Sequence, residues 1–401
     1  MSRNNLEARA AGHAFVASFL GWTLDAFDFF VLIFVLPAVA EEFRRSVADV
    51  AYTITLTLAM RPIGALVFGW MADRYGRRIP LMIDVVFYSI VEVLSGLAPD
   101  YSTFLVLRVL YGIGMGGEWG VGASLAMEVV PAARRGLLSG LLQEGYAVGY
   151  LLAAAAYFVV FPALGWRALF ILGGAPALLV LYIRSRVPES AAWQRARPDP
   201  RRIARAVMEN FGRFLYLVLF MTMLSLMSHG TQDMYPTFLE QERGLGPRMV
   251  ATIAIIYNVG ALAGGLVFGA LSDRFGRRRA MVLAALGGAL VIPAWIFGHS
   301  WTSLAAGAFA MQFMVQGAWG VVPAHLTELS PAEVRGLFPG LAYQLGVLAA
   351  AGAPYFQARL AAEIGYANAL AIVAAVVLIL GAVVIAVGRE RAAVDFARPE
   401  R

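Results

Sequence analysis

The sequence predicts an all-α membrane protein of twelve transmembrane helices in two parallel six-helix halves. Three observations carry this: apolar segments of spanning length recur throughout, arginine concentrates in alternate loops, and the chain repeats itself at an offset of 200 residues. Of the 401 residues 60% are hydrophobic and 14% charged, against roughly 25% charged in soluble domains, and the mean hydropathy is +0.70. An apolar run of about 20 residues crosses the roughly 30 Å of bilayer hydrocarbon as an α-helix.

Spans 1 to 6 are expected at about 14–37, 50–71, 79–97, 102–130, 136–161 and 166–185. Spans 7 to 12 follow at about 212–239, 250–271, 280–298, 303–328, 337–358 and 366–388. Span 1 contains Asp25 and Asp28 and ends at Pro37, so it is expected to be a retained helix and not a cleaved signal. The expected organisation is a first half over 1–186, a linker rich in Arg and Pro over 187–211, a second half over 212–390 and a tail over 391–401.

All 32 basic residues are arginine. With the spans placed as above, 24 fall in the termini and the even-to-odd loops and six on the opposite side. That bias places both termini in the cytoplasm of a multi-pass protein of the cytoplasmic membrane. It also accounts for the net charge of +6, so no nucleic-acid partner is read from it; the lipid bilayer is the expected surrounding, and a monomer the expected state. The chain has no Cys and no Lys, which excludes thiolate metal ligands, Schiff-base chemistry and a Walker-type phosphate loop. His13, His229, His299 and His325 lack metal-type spacing. No cofactor, metal or enzymatic site is expected.

The repeat is specific. Gly69-Trp-Met-Ala-Asp73-Arg74-Tyr-Gly76-Arg77-Arg78 returns as Gly269-Ala-Leu-Ser-Asp273-Arg274-Phe-Gly276-Arg277-Arg278. Pro131, Arg135, Gly136, Trp119, Gly120 and Glu128 recur as Pro331, Arg335, Gly336, Trp319, Gly320 and Glu328. Six spans separate equivalent points, an even number, so the halves share one orientation. Parallel halves of this kind are an architecture of transporters, with the substrate held near mid-membrane between them. Gly69, Asp73, Arg74, Arg77 and their counterparts Gly269, Asp273, Arg274 and Arg277 are expected to act in gating: glycine allows tight turns, and Asp and Arg make charge links that can break when one side opens. The duplicated loop resembles the signature of the major facilitator superfamily, over the whole chain.

An ionisable group in hydrocarbon costs at least about 2.5 kcal/mol on insertion scales, so each is a functional candidate. The first half supplies Asp25, Asp28, Arg61, Glu92, Arg108, Glu118 and Glu144, the second His229 and Asp233. The repeat does not preserve them: Arg61 faces Ala261, Asp25 faces Ser225, Asp28 faces Ser228, Arg108 faces Ala308, Glu118 faces Ala318 and Glu144 faces Gln344. A requirement of the fold would appear in both halves, so this asymmetry points to substrate or proton. On span 7, Ser225, Ser228, His229, Gln232 and Asp233 recur every three or four residues and share one helical stripe.

The run Ser228-His229-Gly-Thr231-Gln232-Asp233-Met-Tyr-Pro-Thr237 resembles a motif of fungal lactate and pyruvate permeases, in which Asn stands where this chain has Ser225. The resemblance implies that Arg61, His229, Asp233 and Gln344 serve recognition and coupling. Gly114-Met-Gly-Gly117-Glu118-Trp119-Gly120, with Trp166-Arg167 and Arg186-Val-Pro188-Glu189-Ser190, is similar to bacterial sialic-acid permeases, of the same sialate–proton symporter family. Arg108-x-x-x-Gly112-x-Gly114-x-Gly116 resembles a superfamily motif whose arginine is linked to proton transfer.

The expected activity is proton-coupled symport of a small organic anion by alternating access, with lactate or pyruvate first and sialic acid the rival; a non-transporting sensor is the alternative from another class. Arginine stays cationic and can hold a carboxylate bidentately, so Arg61 either binds the anion or neutralises Asp25 or Asp28. Gln344, Ser225, Ser228, His229, Thr231 and Asn258 are the further substrate candidates. For the proton, Asp233 beside His229 stands first, with Asp25, Asp28, Glu118, Glu144 and Arg108 as alternatives.

Overall fold

A computed structural model describes residues 3–396, with side chains from residue 9 onward. The described chain is helical, without strands. Spans 1 to 4 are the helices Arg3–Glu42, Val47–Tyr75, Arg78–Gly96 and Tyr101–Val129. Span 5 is Arg135–Gln143 continued by Gly145–Leu172, whose chain bends at Gly165, where φ is 73°; the residues after the bend join Ala177–Arg186 as span 6. Two short helices, Ala191–Ala196 and Pro200–Glu209, lie in the linker. The second of these starts on Asp199, whose carboxylate accepts the Arg202 N–H at 2.8 Å, and that bond holds the acid below its usual range.

Span 7 is Phe211–Gln232 with Tyr235–Gln241, span 8 Pro247–Phe275, span 9 Arg277–Ile296, and span 10 Trp301–Gly320 with Val322–Leu329. Span 11 is Phe338–Ala350 with Ala353–Ile364, and span 12 is Tyr366–Val387. Nine of the described segments are long and apolar enough to cross a membrane by length and composition alone. The other three of the twelve have physical reasons to fall short. Span 4 is diluted by Arg108, Glu118 and glycines, and spans 6 and 11 are each broken by a turn. Large apolar side chains such as Phe158, Leu290 and Val387 point outward, the surface that lipid covers.

Two apolar cores form. One packs spans 1 to 6 around Phe27, Tyr88, Phe104 and Phe170. The other fills the second half and reaches across to Trp22, Trp119, Met127 and Leu142 of the first.

The duplicated loops close one face. Gly76 and Gly276 take φ of 99° and 91°, a region costly for residues with a Cβ, and turn each chain so that an Asp and an Arg meet. Asp73 pairs with Arg77 at 2.7 Å, and Arg77 with Glu128 at 3.0 Å. In the second half Asp273 pairs with Arg277 at 2.7 Å, and Arg277 with Glu328 at 2.9 Å. Each Asp then crosses to the other half. Asp73 accepts the N–H groups of Gly336 and Leu337 at 2.7 and 3.0 Å; Asp273 accepts those of Gly136 and Leu137 at 2.7 and 3.0 Å. Gly69 backs onto Leu337 and Gly269 onto Gly136 so closely that a Cβ on either would clash with backbone.

Arg135 adds an ion pair to Glu328 at 2.9 Å, and Arg335 reaches Glu128 at 3.9 Å. Phe396 of the tail lies 4.1 Å from the Arg135 guanidinium and 4.2 Å from that of Arg335. Glu189 and Glu390 cap the starts of spans 3 and 9, accepting from Arg77 and Arg78 and from Arg277 and Arg278. Arg74 and Arg274 take no part in these pairs: Arg74 lies over the Tyr75 ring at 5.5 Å and Arg274 is exposed, whereas the positive-φ turns at Gly76 and Gly276 bring Arg77 and Arg277 back to the Asp.

Replacing Asp73 by Ala strands two backbone donors, each costing about 1–3 kcal/mol when buried. A single cysteine at Ala324, buried between the halves, should then react with maleimide about tenfold faster or more, since 1.4 kcal/mol corresponds to that factor. Unchanged labelling would place the closure elsewhere.

Candidate functional site

The site begins with a close approach of spans 2 and 4. A Cβ at Gly116 would come within 1.9 Å of the Arg61 carbonyl oxygen, and one at Gly64 within 1.7 Å of that of Ile113. The missing side chains let the backbones touch, which fixes Arg61 between the halves. Arg61 is only 5% exposed, makes no ion pair among the described residues, and leaves Nε and Nη2 without a partner. Its guanidinium lies 6.0 Å from the centre of the Tyr343 ring. The expected alternative, neutralisation by Asp25 or Asp28, is not made as a contact: Asp25 is within electrostatic reach but unpaired.

Aromatic rings line the floor toward the closed face. Tyr343 stacks on Trp119 at 4.2 Å and meets Trp319 edge-on at 5.8 Å. The two Trp residues are repeat counterparts, so the floor is built from equivalent positions of both halves. Trp22 stacks on Tyr146 at 5.3 Å, and Tyr146 lies in the fields of Arg61, Tyr343, Asp25 and Asp233 together.

The second half contributes polar groups. Gln344 is buried, its amide oxygen and nitrogen both unpartnered among the described residues, as is the Ser225 hydroxyl. Ser228 accepts from Gln316 at 3.2 Å and Thr231 from Gln312 at 3.3 Å. His229 Nδ1 is 2.8 Å from the Asp233 carboxylate, both partly exposed, where span 7 breaks before Tyr235. Asn258 is exposed, and its amide donates to the Ala254 carbonyl of its own helix at 2.8 Å.

The first-half acids are fully buried. Asp25, Asp28 and Glu118 have no exposure and no ion pair among the described residues, and only Asp25 Oδ1 has a side-chain contact, to the Tyr111 hydroxyl at 3.5 Å. Arg108 is bound to Glu92 at 2.5 Å and to Ser95 at 2.6 Å, with the Tyr111 ring 4.6 Å away. Glu92 is thus its partner. Glu144 lies against Gly265 of span 8, where a Cβ would come within 2.2 Å of its Oε1.

Sequence reasoning missed several residues of this region. Trp22, Trp119, Trp319, Tyr343 and Tyr146 carry no charge and could not be told from core aromatics. Gln312 and Gln316 sit one turn apart in span 10, a polar spacing that could have marked them. Asp84, buried in span 3 with neither oxygen partnered, meets the test applied to the other acids.

Residues 13–213, half of the chain, match the family described as "Sugar (and other) transporter", and residues 215–401 the one described as "Major Facilitator Superfamily". The chain belongs to the major facilitator superfamily. Among its relatives, a carboxylic acid transporter protein homolog of Saccharomyces cerevisiae is 31% identical over 375 residues, covering 86% of this chain. The match spans 61% of the yeast protein's length. A probable 4-methylmuconolactone transporter of Cupriavidus pinatubonensis is 33% identical over 371 residues, covering 89% of this chain and 85% of that one. The solved proton:xylose symporter XylE, bound to 6-bromo-6-deoxy-D-glucose, has a TM-score of 0.76 at 20% identity, covering 94% of this chain and 95% of that one. At that identity the likeness is one of fold, and the fold is the twelve-helix, two-domain fold of the superfamily.

Gly116→Ala tests how Arg61 is placed. Forced separation of spans 2 and 4 is an overpacking change of about 1–3 kcal/mol, so the thermal midpoint of purified protein should fall by several degrees. An unchanged midpoint would show that the backbones do not rely on this contact.

Proposed function

We propose that this superfamily member is a proton-coupled symporter of a small organic anion, with a monocarboxylate such as lactate or pyruvate as substrate. One observation carries the reading: Arg61 is a buried guanidinium between the halves, without an ion pair among the described residues and with two unpartnered nitrogens. A buried cation costs several kcal/mol unless it is paired, and a planar carboxylate matches its fork. The carboxylic acid transporter homolog among the relatives supports the same substrate class.

The few free polar groups suit a small acid better than sialic acid. Ser228 and Thr231 already engage Gln316 and Gln312, so Ser225 and Gln344 remain for a single hydroxyl or keto oxygen, and the Trp119–Tyr343–Trp319 floor limits depth. Asp233, joined to His229 and partly exposed, is the group proposed to take the proton, its charge responding to the anion on Arg61. The closed face is assigned to the cytoplasm. Residues 1–186 and 212–390 would rock about the 187–211 linker as a monomer in the cytoplasmic membrane, breaking the Asp73 and Asp273 bonds to release substrate inward.

Thermal-shift measurements with lactate, pyruvate, acetate, dicarboxylates and sialic acid across pH 5–8 test the substrate class, since occupancy stabilises the bound protein. Stabilisation by sialic acid and not by pyruvate would transfer the assignment to the larger acid. Arg61→Ala should abolish saturable pyruvate binding in calorimetry, and retained binding would sink the anion assignment. Asp233→Asn should reduce accumulation driven by a pH gradient by about tenfold or more, the low end of what a positioned proton-transfer group contributes, while leaving counterflow intact. A variant that still concentrates pyruvate would move the proton site elsewhere.

A further inference from the structure

The first half encloses a row of acids that the proposed binding of anion to Arg61 leaves unused. Asp84 of span 3, Glu118 of span 4 and Asp25 and Asp28 of span 1 all have zero exposure. Both oxygens of Asp84, Glu118 and Asp28, and Oδ2 of Asp25, lack hydrogen-bond partners among the described residues. Tyr88, one helical turn from Asp84, is equally buried with an unpartnered hydroxyl, and it lies in the fields of Asp25, Glu118, Asp28 and Asp84 at once. Tyr88 packs on Gly114 of span 4, one turn from Glu118, and its ring lies 6.4 Å from that of Tyr111, whose hydroxyl donates to the Asp25 carbonyl at 3.0 Å.

The charged groups facing these acids are few. Asp84 is acted on by Glu118 and Asp25, and Glu118 by Asp25. Asp25 feels Arg61 and Glu92, while Asp28 feels Glu92, Asp25 and Arg108. Arg108 is already tied to Glu92, so no cation is among the groups acting on Asp84 and Glu118. Four carboxyl groups so enclosed cannot all be ionised, because each uncompensated charge costs several kcal/mol. Protons reside among them. No set of three or more acids converges on a metal-sized point among the described residues, so the arrangement is a row and not an ion cage.

Direction follows from the helices. Span 3 leaves the closed face at Arg78, which puts Asp84 near that face, whereas Asp25 neighbours Arg61 at the centre. Glu118 stands between them against the backbone of span 1, where a Cβ at Gly21 would come within 2.3 Å of its Oε1. The repeat counterparts of Asp84, Tyr88 and Glu118 are Ala284, Gly288 and Ala318, so the fold does not require the acids.

We propose that Asp84, Tyr88 and Glu118 form a proton relay inside the first half, which takes the symported proton, first bound at Asp233 and then passed to Asp25, on to the closed face by a route separate from the substrate path. No hydrogen bond joins Tyr88 to these acids among the described residues, so each step moves one proton from a carboxyl or phenol O–H to the next carboxylate through a side-chain rotation or a bridging water, one proton entering as one leaves. The relay rests on the proton-symport reading. The test uses proteoliposomes with a trapped pH dye and pyruvate as the probe, alongside labelled-pyruvate counterflow, which needs no net proton movement.

Asp84→Asn and Glu118→Gln should each slow pyruvate-driven proton uptake about tenfold or more, with counterflow near the wild-type rate. Tyr88→Phe, which removes one hydroxyl and keeps the ring, should slow proton uptake in the same way, and Glu118→Asp should restore part of it. Proton uptake unchanged in both acid variants overturns the relay, as does counterflow falling in step with proton uptake in variants that elute as monodisperse protein. Wild-type vesicles that transport pyruvate without protons overturn the symport reading itself, and the relay with it.

Discussion

Each half of this protein holds the other by a carboxylate placed on backbone donors at the start of the opposing span. Asp73 accepts from Gly336 and Leu337, and Asp273 from Gly136 and Leu137. A charged acceptor suits the start of a helix, where N–H groups lack intrahelical partners and the dipole favours a negative charge. The arrangement requires the positive-φ turns at Gly76 and Gly276, the guanidinium of Arg77 or Arg277 behind each carboxylate, and glycine backbones at the crossing points.

The symmetry of that face contrasts with the interior. Arg61, the acids of spans 1, 3 and 4, and the polar stripe of span 7 have no counterparts of like charge across the repeat. The cation at the centre is supported by an aromatic floor to which both halves contribute an equivalent Trp, with Tyr343 between them. A symmetric frame thus carries an asymmetric charge distribution.

Much of this was legible in the residues. The repeat, its orientation and the Asp–Arg loops follow from spacing and parity, and the membrane-embedded Arg61 is conspicuous because its burial is costly. Other features depended on geometry that spacing does not encode. Arg74 and Arg77 both stand in the motif, yet only Arg77 returns to Asp73, because the positive-φ turn at Gly76 brings it back. Asn258 belongs to a spanning helix, but its amide is consumed by its own backbone. Arg108 is held by Glu92, a partner from a different span, and the aromatic floor is made of residues that composition cannot separate from an ordinary core.

By itself the sequence determined the class of protein: hydrophobic length dictates helices that satisfy their own backbone in lipid, and a duplicated motif after an even number of spans dictates parallel halves. Only the tertiary structure decided which charges meet. Helix periodicity places a side chain on a face, but whether that face looks toward a partner, an aromatic ring or an apolar wall depends on how the helices pack. That is why Arg61 is left without an ion pair among the described residues while Arg77, Arg108 and Arg277 are bound.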